Sequence, residues 1–278
     1  MKIYLKKDLV KELDTDALLA YTALRSIYHK GEEEFYVSVN MLCYRLVGDC
    51  SYTRTFKDSV ASGLNNLVCR NLIVVREQIS KTEFIVNGEG LYFEDDYFVG
   101  IDLEYIRLAC SVSDRIDRGC LVKFLLVMVG TFNNDTARYQ DCLFGGRTGF
   151  VGFMPISYIA QEAGISEQSA LSYITILEDN NIIYVYRHGH TYYDEVNECL
   201  KTINNNYGLY EDRKDIITFG DNVSKMHGFE SKTSIQRRAN ANRRRSLAAK
   251  YRAMCNGKAY NEIETQEIYE YINSRSKE

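Results

Sequence analysis

The sequence has one proline, no tryptophan, four histidines and no Cys-x-x-Cys pair, and each scarcity excludes something. Its eight cysteines (43, 50, 69, 110, 120, 142, 199 and 255) lack the tight ligand spacing of a structural zinc site. Most lie inside apolar patterns, where a reduced thiol packs as a small hydrophobe, so neither a metal nor a cofactor is expected. No Gly-x-x-x-x-Gly-Lys-Ser/Thr loop is present: Asn256-Gly257-Lys258 lacks the earlier glycine and the hydroxyl, which leaves ATP hydrolysis without support. Gly-x-Ser-x-Gly is missing too, and with so few histidines a triad hydrolase is disfavoured. The first ten residues, MKIYLKKDLV, do not form the apolar run of a secretory signal. The most apolar stretch, 124–129, is far too short to span a bilayer. A non-enzymatic, cytoplasmic protein with no membrane partner is expected.

What is present is an ordinary globular composition, 45% hydrophobic and 26% charged, so extended disorder is not expected. The length of 278 residues suits about two domains. The net charge of −4 conceals a strong asymmetry: residues 232–258 hold nine Lys or Arg and no acid, leaving the rest of the chain far more acidic than the total. Local potential decides where a polyanion docks.

Apolar spacing predicts a helix over 14–29 (Leu18, Tyr21, Leu24, Ile27), capped by Asp14 and stopped by Gly31. A strand over 35–37 and a helix from Ser38 follow. A polar turn after Gly48 leads into a helix over 54–69, with Phe56, Val60, Leu64, Leu67 and Val68 on its apolar face. Strands are expected over 72–77 and 83–86, joined by a polar turn at 78–81. The order helix, strand, helix, helix, hairpin then returns. A buried helix is expected over 114–132, then a Gly-rich loop around 145–149 and a short strand over 150–153. Pro155 opens a helix carrying Ile159 and Ala160 that stops at Gly164. Ser166 caps a helix over 167–180 with Ala170, Ile174 and Leu177 inward. Strands over 182–187 and 191–196 flank a turn at His188-Gly189. A shift of 110 residues superposes Ser59 on Ser169, Ser62 on Ser172, Leu67 on Leu177 and Asn71 on Asn181.

The richest passage runs from Ile159 to Ser166, followed by Leu171, Ile174, Leu177 and the Asn180-Asn181-Ile182-Ile183 exit. Two helices can cross within so few residues if the turn holds a residue tolerant of positive φ, here Gly164. Ala160 allows close approach and Ile165 plugs the corner. This passage resembles the helix-turn-helix of winged-helix DNA-binding proteins, over about 152–196. The resemblance implies a recognition helix whose base-reading candidates are Glu167, Gln168, Ser169, Ser172 and Tyr173, with wing contacts at Arg187, His188 and His190. One departure stands out: recognition helices usually carry Lys or Arg, and this one has none. In the first unit the matching positions are Tyr52, Thr53, Arg54, Lys57 and Asp58, with Lys81 on the wing. Among the basic residues, Arg237, Arg238, Arg243, Arg244, Arg245 and Lys250 are candidates for phosphate contact.

The fold expected is therefore mainly α with small β wings (α+β): winged helix-turn-helix domains at 1–100 and 101–200, a polar connection at 201–231 and a basic helical segment at 232–278. Tandem winged helices with a basic tail resemble plasmid and phage replication initiators. That resemblance implies sequence-specific binding of double-stranded DNA at origin repeats, recruitment of a host helicase or other replication proteins, and a possible homodimer. Three alternatives stay open: a transcriptional regulator, an adaptor working through protein contacts, and a metal-dependent origin-nicking nuclease. The last would use His188-Gly189-His190 with Tyr192 and Tyr193, although such nucleases resemble His-hydrophobic-His and here glycine occupies the middle.

Overall fold

The computed structural model describes residues 1–29, 31, 34–92, 98–112, 116–132, 151–188, 191–194, 199–202, 204–226 and 234–275; within these, only the backbone is described for 191–194, 199–202, 225–226, 234–242, 244 and 274–275. The fold is mostly helical with small antiparallel sheets. It divides into two compact units: Met1–Asn133 with Ile156–Ile183, and Asn134–Pro155 with Tyr184–Glu278. These boundaries differ from the division at 100 and 200 read from the sequence.

In the first unit, β1 (Lys2–Lys6) pairs antiparallel with β5 (Phe98–Asp102). Helices α1 (Lys7–Glu12) and α2 (Thr15–Arg25) follow β1. Asp14 caps α2 by accepting the Ala17 N–H at 2.8 Å. Next come β2 (Glu34–Ser38), α3 (Val39–Val47), α4 (Arg54–Cys69), β3 (Val74–Ser80) and β4 (Glu83–Asn87). The three strands form one antiparallel sheet in the order β2-β4-β3. Helix α4 meets α2 backbone to backbone, for a Cβ on Gly63 would collide with the Asp16 carbonyl oxygen.

The helix expected over 114–132 is α6 (Arg118–Gly130), preceded by α5 (Leu103–Ser111), an element the sequence reading did not assign. Leu121, Val122 and Phe124 through Val129 are all buried, so α6 is apolar all round, as a helix surrounded by others must be. It packs on α1, α2, α5 and β5, and also on α7 (Ile156–Ala163) and α8 (Glu167–Asp179). The Lys11–Glu162 ion pair ties α1 to α7.

The second unit holds most of β6 (Ile183–Tyr186), with β7 (Thr191–Asp194), β8 (Cys199–Thr202), β9 (Asn206–Leu209), α9 (Arg213–Met226), α10 (Ser234–Cys255) and α11 (Glu262–Arg275). The hairpin expected between 182–187 and 191–196 does not form among the described residues: β6 pairs with β9, and β7 with β8. Gly152 bridges to Tyr207. The reason lies in the segment expected to be a polar connection. Ile216 and Phe219 of α9 pack with Val151 and Tyr186 into a core, and Gly220 leaves room for the Tyr186 ring where a Cβ would collide.

The thiols divide. Cys43 and Cys110 are buried, and burial pushes them up to about 11 and about 12. Cys50, Cys69 and Cys255 are exposed, contrary to the burial expected of most of them.

Candidate nucleic-acid interface

Two helix pairs, α3–α4 and α7–α8, turn through residues with positive φ: Gly48 at 91° and Gly164 at 71°. A Cβ on Gly164 would meet nothing within 4 Å, so backbone conformation alone selects glycine there. Ser166 caps α8 by accepting the Ser169 N–H at 3.0 Å, and the two hydroxyls lie 2.8 Å apart. Ala170, Ile174 and Leu177 are buried, while Glu167, Gln168 and Ser172 are exposed. The uncovered N-terminal part of α8 therefore carries an acid, an amide and hydroxyls.

Tyr173 is half-buried at the inner edge of that face. Its ring lies 5.9 Å from Phe124 and its hydroxyl hydrogen-bonds Cys120; burial, the largest influence, raises it to about 12. Of the five base-reading candidates on α8, it is one whose hydroxyl already has a partner within the fold.

In the first unit, Thr53 caps α4, its hydroxyl accepting the Phe56 N–H at 3.2 Å. Tyr52 is half-buried and donates to Asn40 Oδ1 at 3.3 Å. Arg54 stands 94% exposed, with Nε 3.8 Å from Asp58 Oδ2. Such a long surface pair contributes almost nothing and exchanges readily for another anion. Lys57 is half-buried one turn on, and Lys81 is exposed in the turn between β3 and β4. Ser59 and Ser62, the counterparts of Ser169 and Ser172, instead hydrogen-bond Asp16 of α2.

The expected wing of the second pair is altered most. His188 is 1% exposed. Its Nδ1 lies 3.0 Å from Ser224 Oγ and its Nε2 2.6 Å from Asn206 Oδ1, with the Tyr186 ring edge-on at 4.9 Å. Tyr186 donates to Asp221 Oδ1 at 2.5 Å. A ring so enclosed touches no phosphate, and both nitrogens are taken, leaving neither open to a metal. Arg187 is half-buried. His190 lies outside the described residues.

The basic block forms α10, one helix of 22 residues. Arg243 and Arg245 are exposed, and Leu247 faces inward. For Arg237, Arg238 and Arg244 the described part is the helical backbone. Lys250 is not an open cation: its Nζ bonds Glu264 Oε1 at 2.7 Å, which raises its pKa. That contact fastens α10 to α11, with Lys258 5.3 Å over the Tyr260 ring.

Among the described residues no group of three or more His, Cys, Asp or Glu is placed to hold a metal, and no helix is long and apolar enough to cross a membrane. Comparison with family models, curated proteins and solved structures gives no match.

Proposed function

We propose that this protein binds double-stranded DNA through its helix-turn-helix pairs, of which α3–α4 carries a wing, and acts as a replication initiator of a plasmid or phage. The observation that carries the reading is the first unit: the N-terminal turn of α4 presents Arg54 and Lys57, and Lys81 rises on the hairpin of a sheet ordered β2-β4-β3. A short helix pair that offers an open helix end, with a cation on an adjacent wing, has the shape and charge to enter a major groove while gripping phosphate. The α10 arginines add sequence-independent attraction. Two readers of different chemistry in one chain, cationic on α4 and uncharged or acidic on α8, suit a protein that meets DNA with one surface and its replication partners with another.

The test is binding of fragmented genomic DNA followed by an origin-dependence assay on the sequence recovered. An initiator binds repeated sites and supports replication of a plasmid carrying them; a regulator needs one promoter site. Arg54→Ala with Lys57→Ala should weaken duplex binding in every sequence context. Unaltered affinity in that variant ends the reading.

The second reading concerns α8 alone. Glu167 in its first turn favours the helix dipole but opposes a phosphate, and this favours a protein contact for the α7–α8 pair. Reversal of Glu167 to Lys should then disturb a partner protein and leave duplex affinity unweakened.

A further inference from the structure

One face of the smaller sheet in the first unit carries none of the residues assigned above to duplex binding. The register of β1 against β5 sets Lys2 opposite Asp102, Tyr4 opposite Gly100 and Lys6 opposite Phe98. Strand side chains alternate between faces, so these six share one side. Ile3, Leu5, Val99 and Ile101 fill the other and are buried.

The outer side holds two aromatic rings in the open. Tyr4 is 44% exposed and Phe98 39%, with their centroids 5.2 Å apart edge to face. A Cβ at position 100 would sit 3.2 Å from the Tyr4 ring and 3.5 Å from the Lys2 Cε. Glycine there lets both side chains lie close along the neighbouring strand. The acid on this side, Asp102, sits at its edge and is engaged by the Glu104 N–H at 3.1 Å.

Exposed rings alone could serve any apolar partner, but along β1 lysines alternate with the ring: Lys2, Tyr4, Lys6. That pattern calls for a ligand that is both anionic and flat-faced. A duplex keeps its base faces stacked on one another, whereas an unpaired strand offers them to aromatic side chains while its phosphates meet cations. We infer that the outer face of β1 and β5 is a stacking platform for single-stranded DNA, with Tyr4 and Phe98 receiving bases and the exposed Lys2 receiving a phosphate.

The probe is a labelled oligothymidylate titrated with the full chain and followed by fluorescence anisotropy. Tyr4→Ala and Phe98→Ala should each weaken binding about tenfold, roughly the loss of one base–ring stack. Tyr4→Phe should keep it, Lys2→Ala should flatten the salt dependence, and all four should bind duplex unchanged. If the alanine variants do not fold, Tyr4→Leu and Phe98→Leu keep the apolar bulk without the ring, and the same loss is expected. Undiminished oligonucleotide affinity in the folded variants overturns the inference. So does an equal loss on duplex, or a shift in sedimentation to a smaller species with oligonucleotide binding intact, which would make this face a contact between two copies. A protein that ignores duplexes yet binds the oligonucleotide through Tyr4 and Phe98 ends the duplex reading and leaves this one standing.

Discussion

Asn71 and Asn181, 110 residues apart in the chain, end α4 and α8 in the same left-handed conformation, with φ of 56° and 54°. The hydrogen bonds around them also match. Leu72 N–H reaches back to Leu67 O at 3.0 Å and Ile182 N–H to Leu177 O at 2.9 Å, while Asn71 and Asn181 donate to Val68 O and Glu178 O. Each is a Schellman-type ending. Burial repeats at the same offset, with Val60, Leu64, Leu67 and Ile73 matching Ala170, Ile174, Leu177 and Ile183.

That conformation costs an ordinary L-residue about 1–2 kcal/mol, less for asparagine and nothing for glycine. Asn71→Gly and Asn181→Gly should therefore be neutral or stabilising. Asn71→Val and Asn181→Val should lower stability by about 1–2 kcal/mol each, read from urea midpoints. Equal midpoints for the Gly and Val variants would contradict the strain argument.

Gly63→Ala should be costly, because its methyl group has only the Asp16 carbonyl to push against. Overpacking of this kind costs about 1–3 kcal/mol, and prising α4 from α2 should weaken duplex binding as well. Chemical denaturation and a binding titration on the same variant check both effects.

Asp16 gives a pH test. Burial is the main influence raising its pKa, with Asp14 and Asp117 adding repulsion. A carboxyl with a raised folded-state pKa binds its proton more tightly when folded, so its ionised form works against the fold above that pKa. The penalty disappears as pH falls through the raised value towards the unfolded one. Asp16→Asn, whose amide oxygen can still accept from Ser59 or Ser62, should gain stability at pH 7 and lose that advantage near pH 4. A gain that persists in acid would show another cause.

Tyr186→Phe removes the donor to Asp221 and should cost about 0.5–1.5 kcal/mol by thermal or urea unfolding, the net worth of one hydrogen bond. Asn206→Ala should behave similarly through His188. A negligible change in both would mean that water replaces these partners.

On α10, Arg245→Ala should weaken binding to all duplexes alike and reduce the log–log salt slope by about 1. Lys250→Ala should do less, because Glu264 already holds that ammonium. Equal effects in a titration series from low to high salt would contradict the distinction.

Local signals were legible where the chemistry is local. Asp14 and Ser166 cap helices as their hydroxyl or carboxylate oxygens predict, Gly164 takes the positive φ its turn requires, and the apolar faces of α4 and α8 are read directly from spacing. Elements held by distant partners were missed. Ile3 and Leu5 alternate, as do Val99 and Ile101, yet nothing near either strand names the other as its partner. Ile216, Phe219 and Val223 keep helical spacing inside a polar stretch, a signal outweighed by the surrounding Asn and charged residues. The position of His188 depended on which strand β6 pairs with, and that choice is made by α9. At the candidate interface, the exposure of Arg54, Lys81, Gln168 and Ser172 agrees with the spacing, whereas Tyr173 pairs with Cys120 and Lys250 with Glu264.

The alternation of the two units along the chain governs how the protein can be divided or made. Residues 134–155 belong with 184–278, and 156–183 belong with 1–133. A cut after 133 or 155 strips α7 and α8 from the first unit, and a cut after 183 takes Val151 and Gly152 from the second. No single scission frees both units whole, and during synthesis the first waits for Asp179 to leave the ribosome before its last helix, α8, can dock.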